Sequence, residues 1–229
     1  MNIQSLRWRH CPSVGVVLAV ALFPGALFGQ SANPYPRRDF QTWSSFKAAH
    51  PLGKMTDYFF GAGLRYGHDQ GHLIYRRITT GFAFRWHSFL TLQPYYQYSV
   101  SDSFSGALTP ENRLALAATV GVPWERWQLS DRNLGERRFR ANGRAWRYRN
   151  RVEFRRPVTI LRKHLSVFAW DEVYYSSKVR RWYRNRLALG AGRRLSEKIS
   201  VDVFYVHQND GYSLPGDLNG VGMTLKTRF

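Results

Sequence analysis

The last nine residues, Val221-Gly222-Met223-Thr224-Leu225-Lys226-Thr227-Arg228-Phe229, decide how the rest of the chain is read. Val221, Met223, Leu225, Thr227 and Phe229 share one parity; Gly222, Thr224, Lys226 and Arg228 share the other. A period of two is that of a β-strand, whose side chains alternate between faces. One face is apolar and ends on an aromatic ring, while the other is polar and basic. Such a strand divides an apolar medium from water.

Working back from this stretch, the same alternation recurs in segments of about ten to fourteen residues, the length a tilted membrane strand requires. It places strands at Phe40 to Ala48, Met55 to Tyr66, Leu73 to Trp86, Phe89 to Val100, Glu111 to Val122, Arg126 to Arg138, Trp146 to Arg156, Leu165 to Tyr175, Trp182 to Arg193, Lys198 to Gln208 and Leu218 to Phe229. In the second, Tyr58, Phe60, Ala62, Leu64 and Tyr66 oppose Asp57, Gly61, Gly63 and Arg65; in the third, Ile78, Phe82, Phe84 and Trp86 oppose Arg77, Thr79, Gly81 and Arg85. The fifth and tenth alternate as plainly. The sixth is the exception, because Asp131 and Asn133 fall on its apolar side; a position above the apolar belt would accommodate them.

His87-Ser88, Pro123 to Glu125 and Leu195 to Glu197 make short connections, whereas Ser101 to Pro110, Phe139 to Ala145 and Asn209 to Asp217 are longer. That alternation is the outer-membrane pattern of short periplasmic turns and longer external loops; Pro157 to His164 is out of step. The fold class expected is all-β, a transmembrane antiparallel up-and-down β-barrel. Closed bacterial barrels have an even strand number, so eleven segments predict twelve strands, with ten as the alternative. A soluble β-sandwich is the rival fold, but its strands are shorter and its interior would not hold so many arginines.

At the other end, Arg7 and Arg9 precede an apolar run from Ser13 to Phe28 interrupted by Pro24 and Gly25. This is the order of a secretory signal peptide, too short for a spanning helix. The domains expected are a cleaved signal at 1–29, an exposed lead-in at 30–38 and the barrel at 39–229. The single cysteine, Cys11, lies in the segment to be removed, which leaves no thiol for disulfides, metal or nucleophilic attack. The formal charge of +19 falls to +17 without Arg7 and Arg9, that is, 32 basic against 15 acidic residues. Export argues against nucleic acid as the anionic partner of so basic a chain, and the charges form no tail. Lipopolysaccharide phosphates and an anionic solute within the barrel remain.

Trp86, Trp124, Trp127, Trp146, Tyr148, Tyr174, Tyr175, Trp182 and Tyr183 collect near strand ends, as interfacial girdles do. A short motif repeats at hairpin spacing: Glu111-Asn112-Arg113-Leu114, Arg149-Asn150-Arg151-Val152 and Arg184-Asn185-Arg186-Leu187. Each central arginine falls on the lumen side. The seventh strand aims Arg147, Arg149, Arg151, Glu153 and Arg155 inward and Tyr148, Asn150, Val152 and Phe154 outward.

With Asp39-Phe40-Gln41 and Trp43, the Asn-Arg pairs, Trp146 to Arg151, and Asp171-Glu172-Val173-Tyr174-Tyr175, the chain resembles the bacterial family called domain of unknown function 2490. The resemblance covers Asp39 to the end and implies an exported outer-membrane barrel, with no catalytic residues attached. The final strand also resembles the closing strand of bacterial outer-membrane barrels. That likeness implies that Phe229 is the signal read by the barrel-assembly machinery.

By parity the lumen receives about fourteen bases against about six acids, Asp57, Glu111, Glu136, Glu153, Glu172 and Asp202. One expectation is a narrow interior filled by internal salt bridges. The other is a wet, positive lumen, lined by Arg113, Arg147, Arg149, Arg151, Arg155, Arg184 and Arg186, that attracts anions as charged filter rings do. No enzyme activity, cofactor or metal is expected. The alternatives are a structural barrel whose Arg137, Arg140, Arg144, Lys178, Arg180 and Arg181 meet lipopolysaccharide, and a lipid-modifying enzyme. For the enzyme the nearest groups are His68, His72 and Asp69, or His207 with Asp210.

Overall fold

The computed structural model describes residues 38–67, 71–102, 107–213 and 216–229. The expected signal peptide, the lead-in before Arg38, and His68 and Asp69 lie outside the described residues. Eleven strands follow one another: β1 (Arg38–Pro51), β2 (Thr56–Gly67), β3 (His72–His87), β4 (Leu90–Asp102), β5 (Leu108–Trp124), β6 (Trp127–Arg140), β7 (Gly143–Ile160), β8 (Lys163–Ser176), β9 (Arg181–Arg194), β10 (Ile199–Asp210) and β11 (Asp217–Arg228). They close into one barrel in chain order, with no helix among the described residues.

The count corrects the expected twelve, and ten as well. An even number follows only if every neighbouring pair is antiparallel. Here β1 and β11 run the same way, Arg38 opposite Asp217 and Ala49 opposite Arg228, while all other pairs are antiparallel. An odd count and one parallel seam entail each other. Phe229 ends the wall beside β1, its N–H donating to the Ala49 carbonyl at 3.1 Å. Arg38, read as lead-in, opens β1.

The strands overrun two expected connections. β6 and β7 continue to a tight turn at 141–142 in place of the long loop from Phe139 to Ala145. β7 runs through Pro157 to a turn at Leu161 and Arg162, both at positive φ (48° and 61°). Two such residues make a hairpin turn whose twist matches the strands it joins. Pro157 to His164 is therefore another short turn, and the irregularity read there disappears. The remaining turns at that end are 52–55, 88–89, 125–126 and 195–198, which we call the turn end; the opposite, loop end carries 68–71, 103–107, 177–180 and 211–216.

Alternation sets the two faces. Phe46, Tyr58, Phe60, Ile78, Phe82, Leu114, Leu116, Leu189, Val203 and Met223 stay exposed on the outside, an apolar belt far beyond what a water-facing surface carries, interrupted by polar groups on β6 to β9. Trp86, Trp124, Trp146 and Trp182 are exposed near its margins. Tyr174 and Tyr183, expected in the girdle, are instead buried. Asp131 and Asn133 do point outward, but in the middle of β6 and not above the belt.

Candidate functional site

The inward face divides into three sectors. The first is an ion-pair ladder on β5 to β8. Glu111 accepts from Arg113 Nε at 2.6 Å, Arg138 Nε at 2.5 Å and Arg140 Nε at 2.6 Å. Glu136 binds Arg147, with Arg149 at 3.6 Å and Arg113 at 3.9 Å. Glu172 accepts from Arg132 at 2.6 Å, Arg149 at 2.7 Å, Arg151 at 3.2 Å and the Tyr174 hydroxyl at 2.5 Å. Glu136 and Glu172 are each 0% exposed. Toward the turn end Asp202 holds Arg155 at 3.0 Å and Lys226 at 2.5 Å.

The second sector, on β8 to β11 and β1, is apolar. Trp43, Phe168, Trp170, Ala188, Val206 and Leu218 form a core inside the barrel, with Phe204 packed against it. Gly222 is what admits the Phe204 ring: a Cβ there would overlap its Cζ and lie 2.5 Å from Cε2. This core backs the parallel seam. It was not legible as such, because β8 and β10 are apolar on both faces over this stretch.

The third sector lines β1 to β3 with cations that bind no carboxylate among the described residues. Arg65 stacks on Trp43 at 3.9 Å and on Tyr75 at 5.0 Å. Arg77 lies across Gly63, where an added Cβ would meet its Nε at 2.8 Å. Lys47 is exposed although its side chain faces inward, so the lumen is open to water at its level. The charges that act most on it are Lys226, Arg77, Arg132 and Arg151. Five cations from β1, β3, β6, β7 and β11 thus act on one another in the lumen, and among the described residues Lys47 and Arg77 bind no carboxylate.

All seven expected arginines point inward. Arg113, Arg147, Arg149, Arg151, Arg155 and Arg184 are each tied to a carboxylate, Arg184 to Asp210 at 2.5 Å. Arg186 donates instead to Gln208 at 2.7 Å and to the Tyr174 hydroxyl at 2.6 Å, and its guanidinium stacks on Trp43 at 4.9 Å. The inward acids also include Asp39 and Asp210. Lys47 was passed over because β1 alternates poorly, with Trp43 on the inner face and Ser44 and Ala48 on the outer.

The two halves of the lumen differ. Toward the loop end Ser99, Glu111, Glu136, Tyr174 and Gln208 are almost wholly buried. Toward the turn end a cavity of about 720 Å³ is lined by Arg155, His164, Ser166, Asp202 and Lys226, among others. A second of about 320 Å³ is bounded by Gln128, Ser130, Glu153 and Arg155. Among the described residues the interior is a basic vestibule toward the turn end and a buried polar network toward the loop end.

The groups weighed for catalysis that fall among the described residues are scattered. His207 points outward to Asn219 Oδ1 at 2.8 Å, whereas Asp210 points inward to Arg184; three residues apart on a strand, they occupy opposite faces. His50, His87 and His164 sit at the turn end of β1, β3 and β8. Among the described residues no three metal-ligating side chains come together. Arg140, read as an external cation, is an inner ligand of Glu111.

The model of the family described as "Protein of unknown function (DUF2490)" matches residues 40–217. The chain belongs to this family. No curated protein matches this DUF2490 chain. Among solved structures it is similar to LpxR from Salmonella typhimurium, with 8% identity, a TM-score of 0.47 and coverage of 76% of this chain and 83% of that one. It is similar also to an anion-selective porin from Comamonas acidovorans, with 15% identity, a TM-score of 0.38 and coverage of 75% and 55%.

Proposed function

We propose that this DUF2490 protein is a bacterial outer-membrane barrel, exported by a cleaved signal peptide, whose lumen binds anionic solutes and passes them when its loop-end network opens. The observation that supports the reading is the gathering of Lys47 with Lys226 across the seam, of Arg77 over Gly63 beside Ser45, and of Arg132 opposite Arg151, with no carboxylate bound to Lys47 or Arg77 among the described residues. Unpaired cations confined between low-dielectric walls concentrate anions. The turn end, with its vestibule, faces the periplasm, and the loop end faces outward.

The test is the reversal potential of the refolded barrel in a planar bilayer between unequal potassium chloride solutions. Anion selectivity is expected, and Lys47→Glu with Arg77→Glu should lower the chloride preference severalfold without loss of insertion. An inserted double variant with unchanged selectivity would remove this cation cluster from the solute path. Arg151→Glu with Arg186→Glu should act in the same direction, with an added cost from the Glu172 network. Deleting Phe229 is expected to cut outer-membrane levels severalfold while any assembled barrel keeps its selectivity; normal levels would contradict its role as assembly signal.

A second reading is compatible with the first. Arg144, Lys178, Arg180 and Arg181 lie at the loop end beyond Trp146, Tyr148, Tyr175 and Trp182, and Arg137, level with Trp146, stacks on its ring at 5.0 Å. Cations above an aromatic girdle suit lipopolysaccharide phosphates.

A further inference from the structure

Over β1 to β3 the outer face is bulky and apolar, built from Phe46, Tyr58, Phe60, Ile78, Phe82 and Phe84. Across β6 to β9 its character changes. Asp131, Asn133, Asn150, Asp171 and Asn185 point outward, by the same parity that sends Arg132, Arg149, Arg151, Glu172 and Arg186 inward. Asp131 is fifth of the 14 residues of β6 and Asp171 ninth of the 14 of β8. Leu129, Phe154, Val167 and Ala169 lie toward the turn end of them, and Tyr148, Tyr175 and Trp182 toward the loop end. These groups are therefore inside the apolar belt.

They are linked sideways. Asp131 accepts from Asn150 at 2.5 Å and Asn133 at 3.2 Å; Asn133 accepts from Tyr148, and Asp171 from Asn185 at 2.7 Å. Asp171 is nevertheless exposed, and its second oxygen accepts no hydrogen bond among the described residues. A carboxylate turned to hydrocarbon is costly, whereas polar side chains across a membrane contact bind protein to protein. The residues between the two polar clusters, Val152 and Val173, are small, and Gly135 and Ala169 flank them. Backbones can approach closely there.

We propose that the β6 to β9 face docks a second copy of this chain. The face carries both halves of the required chemistry: carboxylates at Asp131 and Asp171, and at Asn133 and Asn185 a carboxamide hydrogen beyond the one each donates to those aspartates among the described residues. About a two-fold axis near Val152 and Val173 the donors of one copy meet the acceptors of the other, as an isologous contact demands. A phospholipid does not fit, since its acyl chains offer no donors and its phosphate is repelled by both aspartates. The proposal rests on the membrane-spanning reading and not on the lumen's selectivity.

The test uses the full chain with Cys11→Ser, so that one introduced cysteine is the only thiol. Val152→Cys, oxidised in isolated outer membranes, is expected to give a disulfide-linked species of doubled mass. Phe60→Cys on the opposite face should give at least tenfold less. Adding Asp131→Ala and Asp171→Ala should reduce the Val152→Cys adduct at least fivefold while the barrel still migrates as folded without heating. A folded, membrane-resident Val152→Cys barrel that cross-links no more than Phe60→Cys overturns the dimer and leaves the membrane reading intact. An adduct only to a different endogenous protein also overturns it, and absence of folded barrel from the membrane fraction overturns both.

Discussion

Glu172→Ala is expected to lower the unfolding free energy of the barrel by about 3–5 kcal/mol, the range for removing one member of a buried charge network. The carboxylate is 0% exposed and holds Arg132, Arg149, Arg151 and the Tyr174 hydroxyl together. Truncation leaves three guanidinium groups facing one another; their mutual repulsion and lost hydrogen bonds set the size of the effect. Glu172→Gln, which keeps the shape and an acceptor oxygen, should fall between. Urea unfolding of the barrel in lipid vesicles, followed by tryptophan fluorescence, measures the difference. Raising chloride should stabilise the alanine variant more than the parent, because chloride can occupy the vacated charge. A loss below about 1 kcal/mol would mean that water solvates these arginines freely, as for an exposed pair, and that the loop-end half is not closed.

Trp43→Ala should be comparably severe, about 3–5 kcal/mol, the usual range for removing a buried aromatic side chain. The Trp43 ring contacts Phe204 at 6.4 Å, carries Arg65 at 3.9 Å and Arg186 at 4.9 Å, and donates its indole N–H to Gln41 Oε1 at 2.9 Å. Its loss opens the internal core at the seam and removes the π-face that supports two cations bound to no carboxylate among the described residues. The signature that separates this from general weakening is local. Amide exchange should accelerate first along β1 and β11, with β5 to β7 remaining protected. Uniform acceleration around the wall would show that the seam has no separate dependence on Trp43.

What the sequence disclosed follows from how each feature is encoded. Alternation is local, so the all-β barrel, the outward belt and the inward direction of Arg113, Arg147, Arg149, Arg151, Arg155, Arg184 and Arg186 were all readable from parity. Closure is not local. Whether β1 meets β11 in parallel depends on residues 38 and 217 finding one another, and nothing near either states the orientation. The Pro157 to His164 segment misled because proline is a turn signal, yet it sits well inside β7 and the turn is made by Leu161 and Arg162. Lumen charge pairing was half visible: the acids could be assigned to the inside, but which arginines share Glu111 or Glu172 depends on strand register. Lys47 and Arg77 emerged as the unpaired cations only after the others had found partners. The Asn of each Asn-Arg motif also acquired a role. On the outer face Asn112 accepts from Tyr96 at 2.5 Å, Asn150 donates to Asp131 at 2.5 Å and Asn185 donates to Asp171 at 2.7 Å.

The parallel seam also orders events in time. Ten of the eleven junctions join strands adjacent in sequence, so each can form as soon as its hairpin exists. The eleventh joins the first strand to the last and must wait for every other, with the largest loop to close. Until then β1 and β11 both present open hydrogen-bonding edges, pointing the same way, to whatever strand is nearby. An assembly factor that caps one of them with a strand of its own would have to be displaced by the other edge. Closure of the seam is thus the last junction to form, and its rate should respond to substitutions at Trp43 and Gly222 while leaving the earlier hairpins untouched.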